Sequence, residues 1–517
     1  MSELSNTEPG KPKASSTEQQ VNRLGTAKVS KLIMEFAIPA IIGLVVNGLY
    51  NIIDAIFMGH GVGTIGQATA TIAMPIMIFS MAIAMLIGVG GNALAALRLG
   101  EKKHAEVEWI LGNSFTLTVI ASVLCTAAVF IFIDPILTLS AATEATRESS
   151  HTFIRIIAVG FILQFFGLGF NNFIRTAGDP NRALYTMVAG TIVCIVLNYF
   201  FVMVFHWGVA GSAWATVIGQ GVSAALVLWY FAASKKAPFK LHIPQLKLRG
   251  RLVKAIFALG SATFVLQLSN AIINLIVNNQ LNALGSLSAL GIHGELAAMD
   301  IVARFGSFPL LIDFSAFHPF GSAGALAALG VVGRVAMFTF FPIMGVAMAA
   351  QPLFGYNYGA EKYQRVRTVF NISLAWIAAI GIFFWALIHL FPEPIILIFG
   401  IDDKLLGFTV HALKVQLFAI PLMGLQVLAA NYFQSCGKPM KAMYLSMTRQ
   451  LLYLIPLIYA MPYLMPLIDP SLRALDGVYY AFPVADILSI ITAAIFVSYD
   501  FKGLNAKIRE EKLRQPT

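Results

Sequence analysis

NFIRTAGDPNRALY, residues 172–185, comes back as NYFQSCGKPMKAMY at residues 431–444. Asn172 with Asn431, Gly178 with Gly437, Pro180 with Pro439, Ala183 with Ala442 and Tyr185 with Tyr444 share one offset of 259 residues. Gly100, ahead of Glu101-Lys102-Lys103, and Gly359, ahead of Ala360-Glu361-Lys362, keep the same spacing. The chain is therefore two copies of one unit. Each Gly-x-Pro turn lies between two long apolar runs, so the unit is built of membrane-crossing helices.

Outward from these turns, apolar runs predict twelve spans. The first six lie near 32–58, 67–96, 107–133, 152–176, 183–206 and 209–232, and the second six near 253–283, 323–355, 366–391, 407–434, 441–467 and 477–499. Roughly 20 apolar residues cross a bilayer as a helix, and the composition supplies them. Of 517 residues 58% are hydrophobic and only 12% charged, half the charge of an ordinary soluble domain; the mean hydropathy is +0.77. The fold expected is an all-α polytopic membrane protein of twelve transmembrane helices, arranged as two six-helix repeats around a central cavity.

The domain reading follows. Residues 1–31 form a polar, disordered cytoplasmic tail, 32–232 an N-lobe, 233–252 a basic cytoplasmic linker, 253–499 a C-lobe and 500–517 a second cytoplasmic tail. Spans one and seven pair at an offset near 220, as in Asn51 with Asn270, so about 40 residues are inserted between spans seven and eight. That extracytoplasmic insertion, about 286–322, is either an outer gate or a tolerated surface insertion.

The net charge of +10 could suggest nucleic acid in a soluble protein, but here it reports topology. With the N-terminus inside, 27 Lys and Arg fall in the tails and cytoplasmic loops, against four outside: Arg147, Arg304, Lys404 and Arg473. Both termini are expected in the cytoplasm of a multi-pass cell (inner or plasma) membrane protein, a monomer with the bilayer and no nucleic acid as partner. The cysteines Cys125, Cys194 and Cys436 all sit in apolar runs and read as packing residues. There is no Walker motif, no nucleophile elbow and no clustered His or Cys, so neither an enzyme nor a cofactor is expected.

Ionisable side chains in hydrocarbon are costly and are functional candidates. Asp54 in the first span shares one helical face with Asn47, Tyr50 and Asn51, at i, i+3, i+4 and i+7. Such a half-dehydrated carboxylate suits a group that binds and releases a proton or cation. Asp486 in the twelfth span is the secondary candidate, with a polar contact to span seven or eleven expected. In span seven Gln267, Asn270, Asn274 and Asn278 form a polar stripe that lines the cavity or bonds to a neighbouring helix. Asn172 beside the first Gly-x-Pro turn is a further cavity-lining candidate.

The run Leu49-Tyr50-Asn51-Ile52-Ile53-Asp54 through Gly59, the run Gln351-Pro352-Leu353-Phe354-Gly355 through Gly359, and the two Gly-x-Pro turns resemble, over about residues 30–500, the multidrug and toxic compound extrusion (MATE) family, nearest its DinF/MepA-like branch. The resemblance implies a secondary antiporter that exports small cationic or amphipathic compounds in exchange for H⁺ or Na⁺ by alternating access. It places the coupling site on Asp54, Asn198 and Thr216. A second aspartate found in some members falls on Val202 here, which leaves both ions open and favours H⁺. The acids of the NorM-like branch are missing: span seven has none, and the equivalent position in span ten is Met423 or Gly424. Two other readings stand beside this one. A lipid-linked precursor flippase of the same superfamily would need a basic cavity, and a non-transporting receptor would need a sensor domain.

Overall fold

A computed structural model describes residues 16–514 apart from 141, 235, 290–320, 399–402 and 469–473; some side chains within the described helices are also left aside. The chain is helical throughout, with no strand among the described residues. After α1 (Ser16–Thr26), spans one to three are α2 (Val29–Gly61), α3 (Thr64–Gly100) and α4 (His104–Leu139). Span four is bent by 53° between α5 (Glu144–Val159) and α6 (Phe161–Thr176). Span five is α7 (Pro180–Asn198) run into a π-helical turn, Tyr199–Val204, and span six is α8 (Gly208–Ala233).

The second repeat follows the same plan. Spans seven to nine are α9 (Gly250–Ala289), α10 (Gly321–Gly359) and α11 (Tyr363–Leu390). After the short α12 (Pro392–Leu397), span ten is again bent, by 44°, between α13 (Asp403–Gln416) and α14 (Ile420–Ser435). Span eleven again holds a π turn, Thr448–Leu454, between α15 (Pro439–Met447) and α16 (Ile455–Ile468), and span twelve is α17 (Ala474–Arg514). Each repeat thus bends its fourth helix and inserts a π turn in its fifth. The two Gly-x-Pro turns match in detail: Gly178 and Gly437 have φ of +86° and +75°, which glycine adopts without steric cost, and Pro180 and Pro439 open the next helix.

Closest approach of the repeats lies on the face that carries both termini. A Cβ on Gly90 would run into the Ile256 carbonyl, and one on Gly260 into that of Leu86. Gly100 and Gly359 meet the backbones of Tyr356 and Leu97 in the same way. Glycine lets the backbones of α3, α9 and α10 touch, which maximises packing where the lipid offers no hydrophobic gain.

The expected disorder of the N-terminal tail is corrected. The segment 16–26 is a docked amphipathic helix, because Val21 and Leu24 are buried under the α10–α11 turn. Its last carbonyls accept hydrogen bonds from that turn: Asn357 to Leu24 at 3.1 Å, Lys362 to Gly25 at 2.8 Å, and Arg365 to Ala27. Cations at a helix C-terminus satisfy unpaired carbonyls and the negative end of the helix dipole. Residues 500–514 likewise continue α17 as helix, held by Arg367 to Asn505 at 2.8 Å and by the Gln364 amide to Glu511 at 3.0 Å. Residues 1–15 and the expected insertion, apart from the helix ends at 286–289 and 321–322, lie outside the described residues.

Deleting residues 1–27 is expected to destabilise the protein by on the order of 3 kcal/mol, from the lost charged hydrogen bonds and two buried side chains. A thermal unfolding midpoint equal to that of the full chain would reject this role for α1.

Candidate functional site

The N-lobe gathers its polar groups between α2, α7 and α8. Asp54 Oδ1 accepts hydrogen bonds from Asn198 Nδ2 and from Ser212 Oγ, the latter at 2.8 Å. Tyr50, one turn before Asp54 on α2, shares a 2.8 Å hydrogen bond with Thr216, one turn after Ser212 on α8. The Cys194 thiol donates weakly to Thr216 Oγ1 at 3.9 Å. Asn198, Ser212 and Thr216 are buried and Asp54 is half-buried.

Local backbone explains the placement. Asn198 is the last regular residue of α7, and the π turn begins at the next position. A π turn inserts an extra residue per turn and re-aims the side chains around it, a feature common at functional sites. Val202, inside that turn, is fully buried. Asn198 Oδ1 is buried and has no hydrogen-bond partner among the described residues. An unpaired buried acceptor costs about 1–3 kcal/mol, which marks a place that a proton donor or cation can satisfy. No group of three His, Cys, Asp or Glu suited to a metal ion occurs among the described residues.

Asp54, Asn198, Thr216 and Tyr50 therefore meet in one cluster. Ser212 belongs to it as well and was missed by sequence reasoning. Its only signal was the spacing of four to Thr216, which puts both hydroxyls on one face of α8. Asn47 is exposed on α2. The side chains of Asn51, Asn274 and Asn278 lie outside those described.

Asn172 stands apart, buried on α6, where it accepts a 3.4 Å hydrogen bond from Arg175. Arg175 is itself buried, and its other contacts are the sulfur atoms of Met348 and Met187. Of the span-seven stripe, Gln267 accepts from Asn270 at 3.3 Å, and Asn270 accepts from Gln450 of span eleven at 2.7 Å. These amides join two helices.

In the C-lobe Asp486 is buried and ion-paired with Arg449 of span eleven, Nε to Oδ1 at 2.5 Å. Arg449 borders a cavity of about 240 Å³, which is lined mainly by apolar side chains of α10, α14 and α17.

A membrane-crossing pair of repeats, each with buried polar groups inside its helices, is the architecture common among secondary transporters. A family model described as MatE matches residues 39–200 and 295–460, once in each half, and the chain belongs to this MATE family of transporters. The multidrug export protein MepA of Staphylococcus haemolyticus is 21% identical over 488 residues, covering 94% of this chain and 97% of its own. The MATE multidrug transporter DinF-BH, solved as a complex, is 33% identical with a TM-score of 0.79, covering 93% of this chain and 98% of its own. A MATE transporter of the MOP superfamily in an outward-facing conformation, 21% identical, shares the fold at a TM-score of 0.80 over 96% of this chain and all of the other.

Proposed function

We propose that this protein is a secondary antiporter of a cell membrane, exporting cationic or amphipathic compounds in exchange for H⁺. The observation that carries the proposal is the Asp54 carboxylate, set within the membrane and held by two neutral donors, Asn198 and Ser212. MepA and DinF-BH are named as multidrug transporters, which supports the export of small compounds of varied structure.

Ionised Asp54 accepts from both donors and keeps α2 tied to α7 and α8. A proton arriving on the carboxylate removes the charge, weakens these charge-assisted bonds and frees α2 to shift. Substrate and proton then compete for one conformational cycle, and the close contact of the repeats on the termini face must part in the other half of it. H⁺ is favoured over Na⁺ because both donors aim hydrogens at the carboxylate and the next turn offers Val202 where a second acid would serve a metal cation. Under this reading both termini and the basic linker 233–252 face the cytoplasm, 32–232 and 253–499 are the two lobes, and 286–322 lies outside.

Purified protein in liposomes tests the proposal. An imposed pH gradient should drive transport of a cationic dye, and a Na⁺ gradient of equal size should not. Transport driven by Na⁺ alone would overturn the choice of ion, and transport by neither gradient would overturn the antiporter.

A further inference from the structure

The C-lobe cavity and the Asp54 cluster present opposite chemistry. Behind the cavity wall, Asp486 is 2% exposed and Arg449 is 25% exposed. Arg449 lines the cavity and Asp486 does not, so the arginine is the member of the pair that meets it. Nε is taken by Asp486. Nη1 and Nη2 make no hydrogen bond to the described residues, and they are not enclosed. Gln416, also on the lining, has a buried Oε1 without a partner among the described residues. Met337, Phe340, Ile343, Met423 and Phe482 make up most of the remaining wall.

An apolar cavity with a few convergent polar groups is the usual form of a small-molecule site. Here those groups have a definite sense. Two free guanidinium nitrogens form a planar fork that fits the two oxygens of a carboxylate. Asp486 fixes the plane of that fork by holding Nε. It also cancels the cation's net charge, so the cavity as a whole is neutral and does not repel a molecule that carries a positive group elsewhere. Methionine side chains let the apolar wall adapt to ring systems of different shape.

We infer that this cavity is a binding subsite for the carboxylate of amphipathic zwitterions, with Arg449 as the binding residue, Asp486 as its positioning residue, and Met337, Phe340 and Met423 against the apolar body. The inference rests on the export reading only for its purpose, since binding itself needs no gradient. It names a specificity-determining residue within that reading: a compound with both a cationic ring and a carboxylate is held better than its ester.

The test uses the full chain in detergent and two xanthene dyes that differ in one group, a free carboxylate and its ethyl ester. Equilibrium binding is read by fluorescence anisotropy. Wild-type protein should bind the carboxylate dye about tenfold more tightly than the ester, the size of one well-made charged hydrogen-bond pair. The double variant Arg449→Met/Asp486→Leu removes both charges, so no lone ion stays buried. It should bind both dyes with the ester's affinity.

Arg449→Lys keeps the ion pair but loses the fork, and should retain less than half of the preference on a logarithmic scale. This variant decides the matter if the double variant fails to fold. Equal wild-type affinities, a preference surviving in the double variant, or full preference in Arg449→Lys would each overturn the inference. Efflux by wild-type protein without any carboxylate preference would overturn it and leave the export reading standing. Carboxylate preference without gradient-driven efflux would do the reverse.

Discussion

Asp54→Asn is expected to reduce gradient-driven export to the level of protein-free vesicles while leaving expression and folding nearly intact. Asparagine has the shape of aspartate, and its carbonyl oxygen can still accept from Asn198 and Ser212. What it cannot do is gain and lose a proton. The loss is confined to the coupling step, and the structural cost is the difference between a charged and a neutral hydrogen-bond acceptor, about 1 kcal/mol. Asp54→Ala separates the two contributions. It strands two buried donors at a cost of about 1–3 kcal/mol each, so it should lose both activity and thermal stability. The measurements are dye efflux from proteoliposomes and the unfolding midpoint of the same preparations. Wild-type efflux by Asp54→Asn would remove Asp54 from the coupling site.

The second large effect lies at the far end of the chain. Asp500 is buried on α17 and gathers three donors from the second Gly-x-Pro turn and the helices on either side of it. Lys438 Nζ lies 2.6 and 2.7 Å from its two oxygens, Lys441 Nζ 2.8 Å from one, and Tyr432 donates at 2.8 Å. Asp500→Ala leaves two partly buried cations facing each other with no acid between them. Removing one partner of a buried ion pair costs about 3–5 kcal/mol; the lysines reach some solvent, so the lower end applies. The unfolding midpoint should fall clearly, and Asp500→Asn, which keeps the acceptor geometry, should fall less. Equal midpoints for wild type and Asp500→Ala would show that the cluster contributes no stability.

The architecture was largely legible in the residues. Apolar runs marked the spans because a helix in lipid must be apolar along its whole length. The offset of 259 exposed the repeat because turns with φ above zero keep their glycines, at Gly178 and Gly437 alike. The face carrying Tyr50 and Asp54 was visible because helical periodicity is local. The order at the two ends was not visible in the residues. Residues 16–26 and 500–514 are polar enough to read as tails, and they are ordered by partners more than 300 and about 140 residues away, Asn357 and Arg367.

The candidate site was legible in part. Asp54 was reached from its helical face, and Asn198 and Thr216 through resemblance, but Ser212 carried no mark beyond its spacing to Thr216. Arg449 is set apart from other cations only by its contact with Asp486 and its place on the cavity wall. Hydropathy, helical phase and repeat spacing are properties of neighbours along the chain, so they can be read in order. Which hydroxyl reaches a carboxylate, and which nitrogen of a guanidinium stays free, depends on how separate helices rotate and bend against one another. The bends in spans four and ten and the π turns after Asn198 and Met447 set those rotations, and they arise from packing between helices that no single segment encodes.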